Sequence, residues 1–525
     1  MTRSAKPMIN PWLIAPLVAL AAFMEVLDIS IANVSLQHIA GDLSAGQDES
    51  TWVLTSYLVT NAIVLPVSGW LSSVMGRTRF FVACIIGFSV SSLACGLAPT
   101  LGLLIVFRAI QGLTGGGLQP SSQAILADTF PPRQRGMAFA LYGMAVVFAP
   151  AIGPTLGGWI TDNFTWRWVF LLNVPVGIVL TFLVVSLLDD PPALVKARAE
   201  KLRQGLKVDY LGFLLLAAGL GLLQVVLDKG EQDDWFSSPF IFWLSIISVL
   251  SLVAFVIWEL GQEDPIVDLH LLRDRNFGVA NLLMFLLGFI LLGSTVLLPE
   301  LVQRLFGYTA TLAGLVLTPG GLSIILVMPL VGKMVSVTDP RKLIALGLFI
   351  CAMALLRMTA FDLGTDYGTF VWARIYQALG LSLLFIPINT AAFLGVPPDK
   401  SSAASSLINV SRNLGGSFGI SLVITALSRY AQAHQTTLVA HASPLNPAFR
   451  QSLGQLTRDF QLHGGGAAEA SAKATGTIYQ MIGQQAQMQA FIDDFRMLAM
   501  IFLAVIPFVF IMKKGVPHGP GPAAH

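Results

Sequence analysis

Charge is what this sequence has least of. Only 11% of its 525 residues are Asp, Glu, Lys or Arg, while 55% are hydrophobic. Ordinary soluble domains carry roughly a quarter charged residues, so a water-facing globular surface is excluded and a polytopic membrane protein is expected. Cysteine is scarcer still. Cys84, Cys95 and Cys351 all sit in apolar runs, which excludes a disulfide framework and leaves them as small packing residues. Seven histidines, at 38, 270, 434, 441, 463, 518 and 525, fall in loops, tails or span edges without paired spacing. Clustered ligation is therefore not expected, and no metal ligand is assigned. No G-x-x-x-x-G-K-[ST] motif occurs: Gly332-Lys333 lacks the preceding glycine and the hydroxyl residue, which excludes a nucleotide-driven pump. No resident cofactor, nucleic-acid partner or enzymatic activity is expected.

What the chain does contain is one apolar run after another. A span needs about 20 mainly apolar residues. Fourteen candidates lie near 13–33, 52–74, 79–98, 101–126, 136–160, 166–188, 208–227, 239–258, 278–299, 309–332, 342–361, 368–394, 402–428 and 496–513. Arg3 and Lys6 before the first run have the order of a signal peptide. No small-residue cleavage site follows, so this run is read as a retained span.

The connections orient these spans, because Lys and Arg concentrate on the cytoplasmic side. Alternate loops carry Arg77 and Arg79; Arg133 and Arg135; Lys196, Arg198, Lys201, Arg203 and Lys207; Arg273 and Arg275; Lys333, Arg341 and Lys342; and Lys400. The opposite loops are poor in bases: the first has Asp42, Asp48 and Glu49, and the fourth has Asp228, Glu231, Asp233 and Asp234 against Lys229 alone. An even span count with both termini cytoplasmic follows, supported by Lys513 and Lys514. One long external segment, 430–495, is expected to hold two short helices around a flexible centre at His463, either as a specific surface or as a solvated insertion.

The chain also repeats itself. VWARIYQALG at 371–380 paraphrases LLIVFRAIQG at 103–112, and an offset of 266 superposes Arg108 on Arg374, Gln111 on Gln377 and Pro131-Pro132 on Pro397-Pro398. An offset of 263 aligns residues 64–77 with 327–340 through Pro66/Pro329 and Gly69/Gly332. Spans 1–6 then correspond to 9–14, with two inserted between them. The expected domains are 1–190, a six-helix bundle; 191–275, a linker with two inserted helices; and 276–525, a second six-helix bundle including 430–495. Repeats separated by an even number of spans face the same way, the plan of transporters that rock two bundles about a midplane site. This suits alternating access better than a channel.

Four motifs in order carry a family resemblance: FMEVLDISIANVSL (23–36), GWLSSVMGRTRFF (69–81), the stretch around Arg108, and APAIGPTLGG (149–158). Over nearly its whole length the chain resembles the major facilitator superfamily, in the fourteen-span drug:proton antiporter group of EmrB/QacA type. The resemblance implies an all-α membrane fold of 14 helices and proton-coupled efflux of amphipathic or hydrophobic compounds across a bacterial inner membrane. It also implies a periplasmic adaptor and outer-membrane channel as partners, with 430–495 as a docking surface. Export of one physiological metabolite or lipid-like acid is the alternative, and a non-transporting sensor a more distant one. The chain departs from the family pattern at Ser73, where an acid is common, and at Val74, where a base is, so the usual loop charge latch is not implied by those positions.

Asp28 and Glu25 lie three apart in the first span and so share a helical face. A carboxylate at membrane depth is costly and faces a partner or a cavity. Proton and cation compete for such a group. Asp28 matches the family's first-span acid; Glu25 is either a cation contact or a second acid titrating with the first. Arg108 is the expected counter-charge, for coupling or as a structural pair, and Gln111 adds a neutral hydrogen bond. Gly153, Pro154, Gly157 and Gly158 form the family's antiporter motif, a pivot or simply a tight packing seam. Gly69, Gly76 and Arg77 form the cytoplasmic loop motif. Asn409, Arg412 and Asn413 either line the substrate cavity with Asp28, Glu25 and Gln111, or bond neighbouring helices.

Overall fold

The computed structural model describes residues 10–203, 208–262, 265–393, 396–463 and 466–512. Arg3, Lys6, Lys207, Lys513, Lys514, His518 and His525 lie outside the described residues. Among the described residues all regular structure is helical. The first group of helices is α1 (Pro11–Asp42), α2 (Gln47–Ser50), α3 (Trp52–Met75), α4 (Arg77–Gly96), α5 (Leu101–Gly115), α6 (Leu118–Thr129), α7 (Pro132–Asn163), α8 (Arg167–Leu171) and α9 (Asn173–Leu187). A linker helix α10 (Pro192–Arg203) leads to α11 (Tyr210–Lys229) and α12 (Pro239–Glu259). The second group is α13 (Arg275–Phe306), α14 (Ala310–Val337), α15 (Pro340–Met358), α16 (Tyr367–Ala392), α17 (Ser401–His441), α18 (Pro447–Leu462) and α19 (Ala467–Val509).

Eleven stretches among the described residues are long and apolar enough to cross a membrane. Eleven of the fourteen predicted spans coincide with them, α5–α6 and α8–α9 each counting as one. The remaining three fall on α15, α17 and α19, where the apolar pattern is broken: α15 carries Arg341, Lys342 and Arg357, and α17 carries Asn409, Arg412 and Asn413. The length of α17 and α19 also corrects the reading of 430–495. That segment is not a loop holding two short helices: α17 runs on to His441, α19 starts at Ala467, and α18 packs on α19 between them. At 1.5 Å per residue the 41 residues of α17 span about 62 Å, twice a hydrocarbon core of about 30 Å. Both helices therefore stand out as a pillar, tied by His434 to Asp493 at 2.7 Å and Gln435 to Tyr479 at 3.2 Å.

Helices pack mainly within each group, and the groups meet through α7 against α14 and α16, and through α17 against α3 and α6. The inserted pair is fastened to both. On one side Asp228 accepts from Thr55, and Lys229 donates to Thr51 and to the Asp48 carbonyl; on the other Ser417 donates to Gln224 at 2.9 Å and Arg429 pairs with Asp234 at 2.9 Å. Small residues let the helices close. A Cβ on Gly157 would stand 3.2 Å from the Ile31 carbonyl, and one on Gly69 2.9 Å from the Ala403 Cα.

Candidate functional site

The α1 helix has Pro11 in its first turn and then an apolar run too continuous for one wet face. Its two interior carboxylates, Glu25 and Asp28, are accordingly buried. Asp28 Oδ2 accepts from Arg108 Nη1 at 2.5 Å; Oδ1 accepts from Gln111 Nε2 at 3.0 Å and from Asn173 Nδ2 at 2.7 Å. Three donors and no acceptor surround it, a set complementary to a carboxylate and not to a carboxylic acid. Arg108 is in turn held by Gln111 Oε1 at 2.7 Å and the Val53 carbonyl at 3.1 Å, with the Tyr57 ring 4.3 Å from its guanidinium carbon. Removing either charge leaves the other stranded, which costs about 3–5 kcal/mol for a buried pair. The predicted trio Asp28, Arg108 and Gln111 is thus brought together.

Glu25 sits one turn away in a separate environment. Its Oε1 accepts from Asn61 Nδ2 at 3.1 Å, and its Oε2 has no partner. Arg412 on α17 is buried opposite and donates to Gln119, which also accepts from Tyr142 at 3.5 Å. Asn409 donates to Gln123 at 2.7 Å, and Gln123 donates to Asn389 at 3.2 Å, which links α17, α6 and α16. Asn413 is half-buried and is not joined to this network; its carbonyl accepts from Ser417. The structure therefore divides the predicted polar set into an Asp28 cluster within the first group and a Glu25 to Asn409 cluster across the interface.

Gly153 faces Ser30, Gly157 faces Ile31, and Gly158 approaches Thr311, so the 153–158 motif is a seam between α7 and both α1 and α14. Pro154 lies inside α7 with Pro150. Below the polar clusters, at the end where the Arg77, Arg135 and Arg341 connections lie, the two groups are locked. Arg77 pairs with Asp128 and donates to Ser402 at 3.2 Å; Ser401 donates to Asp128 at 2.7 Å; Ser405 donates to the Pro120 carbonyl at 2.7 Å. A latch is thus built without position 73, whose hydroxyl turns back to the Trp70 carbonyl. Gly76, at a φ of 92°, brings Thr78 N within 2.8 Å of Asp190.

Asn61, Gln119, Gln123, Asp128, Asn173 and Ser401 were not singled out by the sequence reading. The available signal was a lone amide inside an apolar run, as in YLVTNAIVL and NVPVGIVL. Arg374, the repeat mate of Arg108, donates to Gln377 at 2.7 Å and to Thr295 at 3.3 Å, with no carboxylate among these partners. Arg357 is exposed at the end of α15, where it can snorkel.

A helical membrane protein with a buried charge pair and a polar interface between two helix groups has the architecture of a carrier. The Major Facilitator Superfamily model matches residues 18–420. The multidrug export protein EmrB of Escherichia coli (strain K12) is 37% identical over 504 residues, 96% of this chain and 95% of that protein. The fatty acid resistance protein FarB of Neisseria gonorrhoeae is 35% identical over 502 residues, 96% of each chain. The crystal structure of the human organic anion transporter MFSD10 matches at a TM-score of 0.58 and 14% identity, covering 96% of this chain and all of that one, and shows the fold alone. The chain belongs to the Major Facilitator Superfamily, among its EmrB-type permeases. It is a multi-pass membrane transporter and not an enzyme.

Proposed function

We propose that this protein exports amphipathic or hydrophobic compounds across a bacterial inner membrane in exchange for protons, by alternating access. The observation that carries the reading is the buried Asp28–Arg108 pair, whose carboxylate has only donors around it. A proton arriving at Asp28 cancels the charge that Arg108 pairs with, and Arg108 cannot shed its own. Proton binding is in this way tied to rearrangement in the middle of α5 and at the start of α9. Antiport requires only that proton and substrate oppose one another thermodynamically.

The lock at the basic end supports assigning this state as closed to the cytoplasm. Fourteen crossings, with 1–190 and 276–525 as the rocking bundles and 191–275 as the insert, place both termini inside. The pillar of α17, α18 and α19 then stands in the periplasm, where we place the contact with an adaptor protein and, through it, an outer-membrane channel. No resident cofactor is needed, the proton gradient being the energy source. The relatives' names, which span multidrug export and fatty acid resistance, support a broad range of amphiphiles over a single metabolite.

The test is substrate-triggered proton flux in proteoliposomes under an imposed pH gradient, with cationic, neutral and anionic amphiphiles. Wild-type protein should couple and Asp28→Asn should not. Export against a gradient by Asp28→Asn at the wild-type rate would overturn the mechanism.

A further inference from the structure

Two buried groups able to carry opposite charges act on each other across the interface without forming an ion pair. Glu25, on α1, is 1% exposed and has a free Oε2; Arg412, on α17, is 6% exposed and has a free Nη1. Their charges interact, yet each is held by a neutral amide, Glu25 by Asn61 and Arg412 by Gln119. Gln119 accepts from Arg412 and also acts on Glu25, which makes its side chain the candidate spacer between them. Buried charges left this way are costly, because neither an amide nor distance replaces an ion pair.

The groups facing Glu25 narrow what can serve it. They are Asp28 on its own helix, Tyr57 and Asn61 on α3, Cys84 on α4, Gln119 on α6, Tyr142 on α7 and Arg412 on α17. Arg412 is the one cation among them. Arg108 turns its Nη1 to Asp28 and Gln111 and keeps a bare Nη2, but it is not among the groups that act on Glu25. Among these groups the one counter-charge for an ionised Glu25 therefore belongs to the other helix group.

We propose that Arg412 is the trans-interface counter-charge of Glu25, with Gln119 as the spacer, so that the charge state of Glu25 biases how the two helix groups sit against each other. An ionised Glu25 draws α17 towards α1 and swings Gln119 aside. A proton on Glu25 removes that pull, and so does a cationic substrate, which takes Arg412's place at the carboxylate. The proton leaves Glu25 to water on whichever side is open, and no other bond is made or broken. Because each event acts on the same two-state arrangement, linkage makes the arrangement act back on proton and cation occupancy. Arg412 is thus a positioning residue that acts through Glu25. This inference rests on the export reading and adds a second coupling element to it.

The experiment measures equilibrium binding of tetraphenylphosphonium at acid and alkaline pH, and triggered proton flux, in wild type, Glu25→Gln, Arg412→Gln, the double variant, Arg412→Lys and Gln119→Leu. Each single neutralisation should flatten the pH dependence of binding by about tenfold, and the double should be no worse than the poorer single, as for residues acting as one unit. Arg412→Lys keeps the charge and should keep the pH dependence, which separates the role from a folding defect. Gln119→Leu should weaken cation binding only where Glu25 is present. Multiplicative losses in the double variant, or an Arg412→Gln protein with wild-type pH dependence, would overturn the inference. If wild-type protein shows no triggered flux with any compound, the export reading itself fails; if it couples and Arg412→Gln couples equally, only this inference fails.

Discussion

Arg108 and Arg374 stand at corresponding places in the two helix groups, and each donates to the glutamine three residues on at 2.7 Å. Their next partner differs. Arg108 reaches Asp28 on α1, whereas Arg374 reaches the hydroxyl of Thr295 on α13. The cation is present in both halves and its carboxylate partner in one, so the first half holds a buried acid beside its arginine where the arginine of the second has a hydroxyl. Symmetry of fold does not carry symmetry of chemistry.

The sharpest way to break this comparison is to remove the acid. Asp28→Asn should lower coupled efflux by about a hundredfold, the upper range of a coupling free energy, while Thr295→Ala should stay within about twofold. Comparable losses in proteoliposome flux would mean that both halves couple. Stability should split the same way. Arg108→Met strands a buried carboxylate and should cost about 3–5 kcal/mol, whereas Arg374→Met strands no charge and should be neutral or stabilising. Thermal unfolding in detergent distinguishes the two, and equal destabilisation would refute the asymmetry.

This difference was half legible in the sequence. Asp28, Arg108 and Gln111 were readable together because a charge in an apolar run advertises itself, and the resemblance put the acid and the arginine in one site. Asn173 was not, since its pairing with Asp28 spans 145 residues and only packing of α9 against α1 creates it. Arg412 was readable as a buried polar residue, but that it faces Glu25 across Gln119 depends on how α17 docks on α6. The apolar cores of most spans were legible from length alone. The last helices were not, because α17 and α19 continue as polar helices beyond the apolar stretch and hydropathy sees only the buried part.

Glycine seams give a smaller contrast. Gly415 meets the Phe285 main chain and Gly153 meets the Ser30 side chain. Alanine at either should overpack by about 1–3 kcal/mol. Only the second should be relieved by a partner change, Ser30→Gly restoring thermal stability to Gly153→Ala. Failure of that rescue would show that Gly153 is needed for the path of α7 and not for its contact with α1.

The smallest effect lies where the repeat places Gly76 opposite Asp339. Each precedes a helix, α4 and α15, but Gly76 caps nothing with a side chain and instead adopts a φ of 92°, whereas Asp339 accepts from the Arg341 backbone N–H at 3.1 Å. Hydrogen bonds from Arg341 hold the Asp339 carboxyl below its usual range. A carboxyl depressed in the fold stabilises above its unfolded value and loses that contribution as pH falls through the folded one. Asp339→Ala should therefore cost about 1 kcal/mol near neutrality, the worth of a cap, discounted for its partial exposure to water. The gap from wild type should narrow in acid. Gly76→Ala should show no such pH dependence, because its penalty is backbone strain and a Cβ placed 2.8 Å from Asp190. A pH-independent gap for Asp339→Ala would mean that the Arg341 contacts add nothing beyond packing, and that the two connections differ in shape alone.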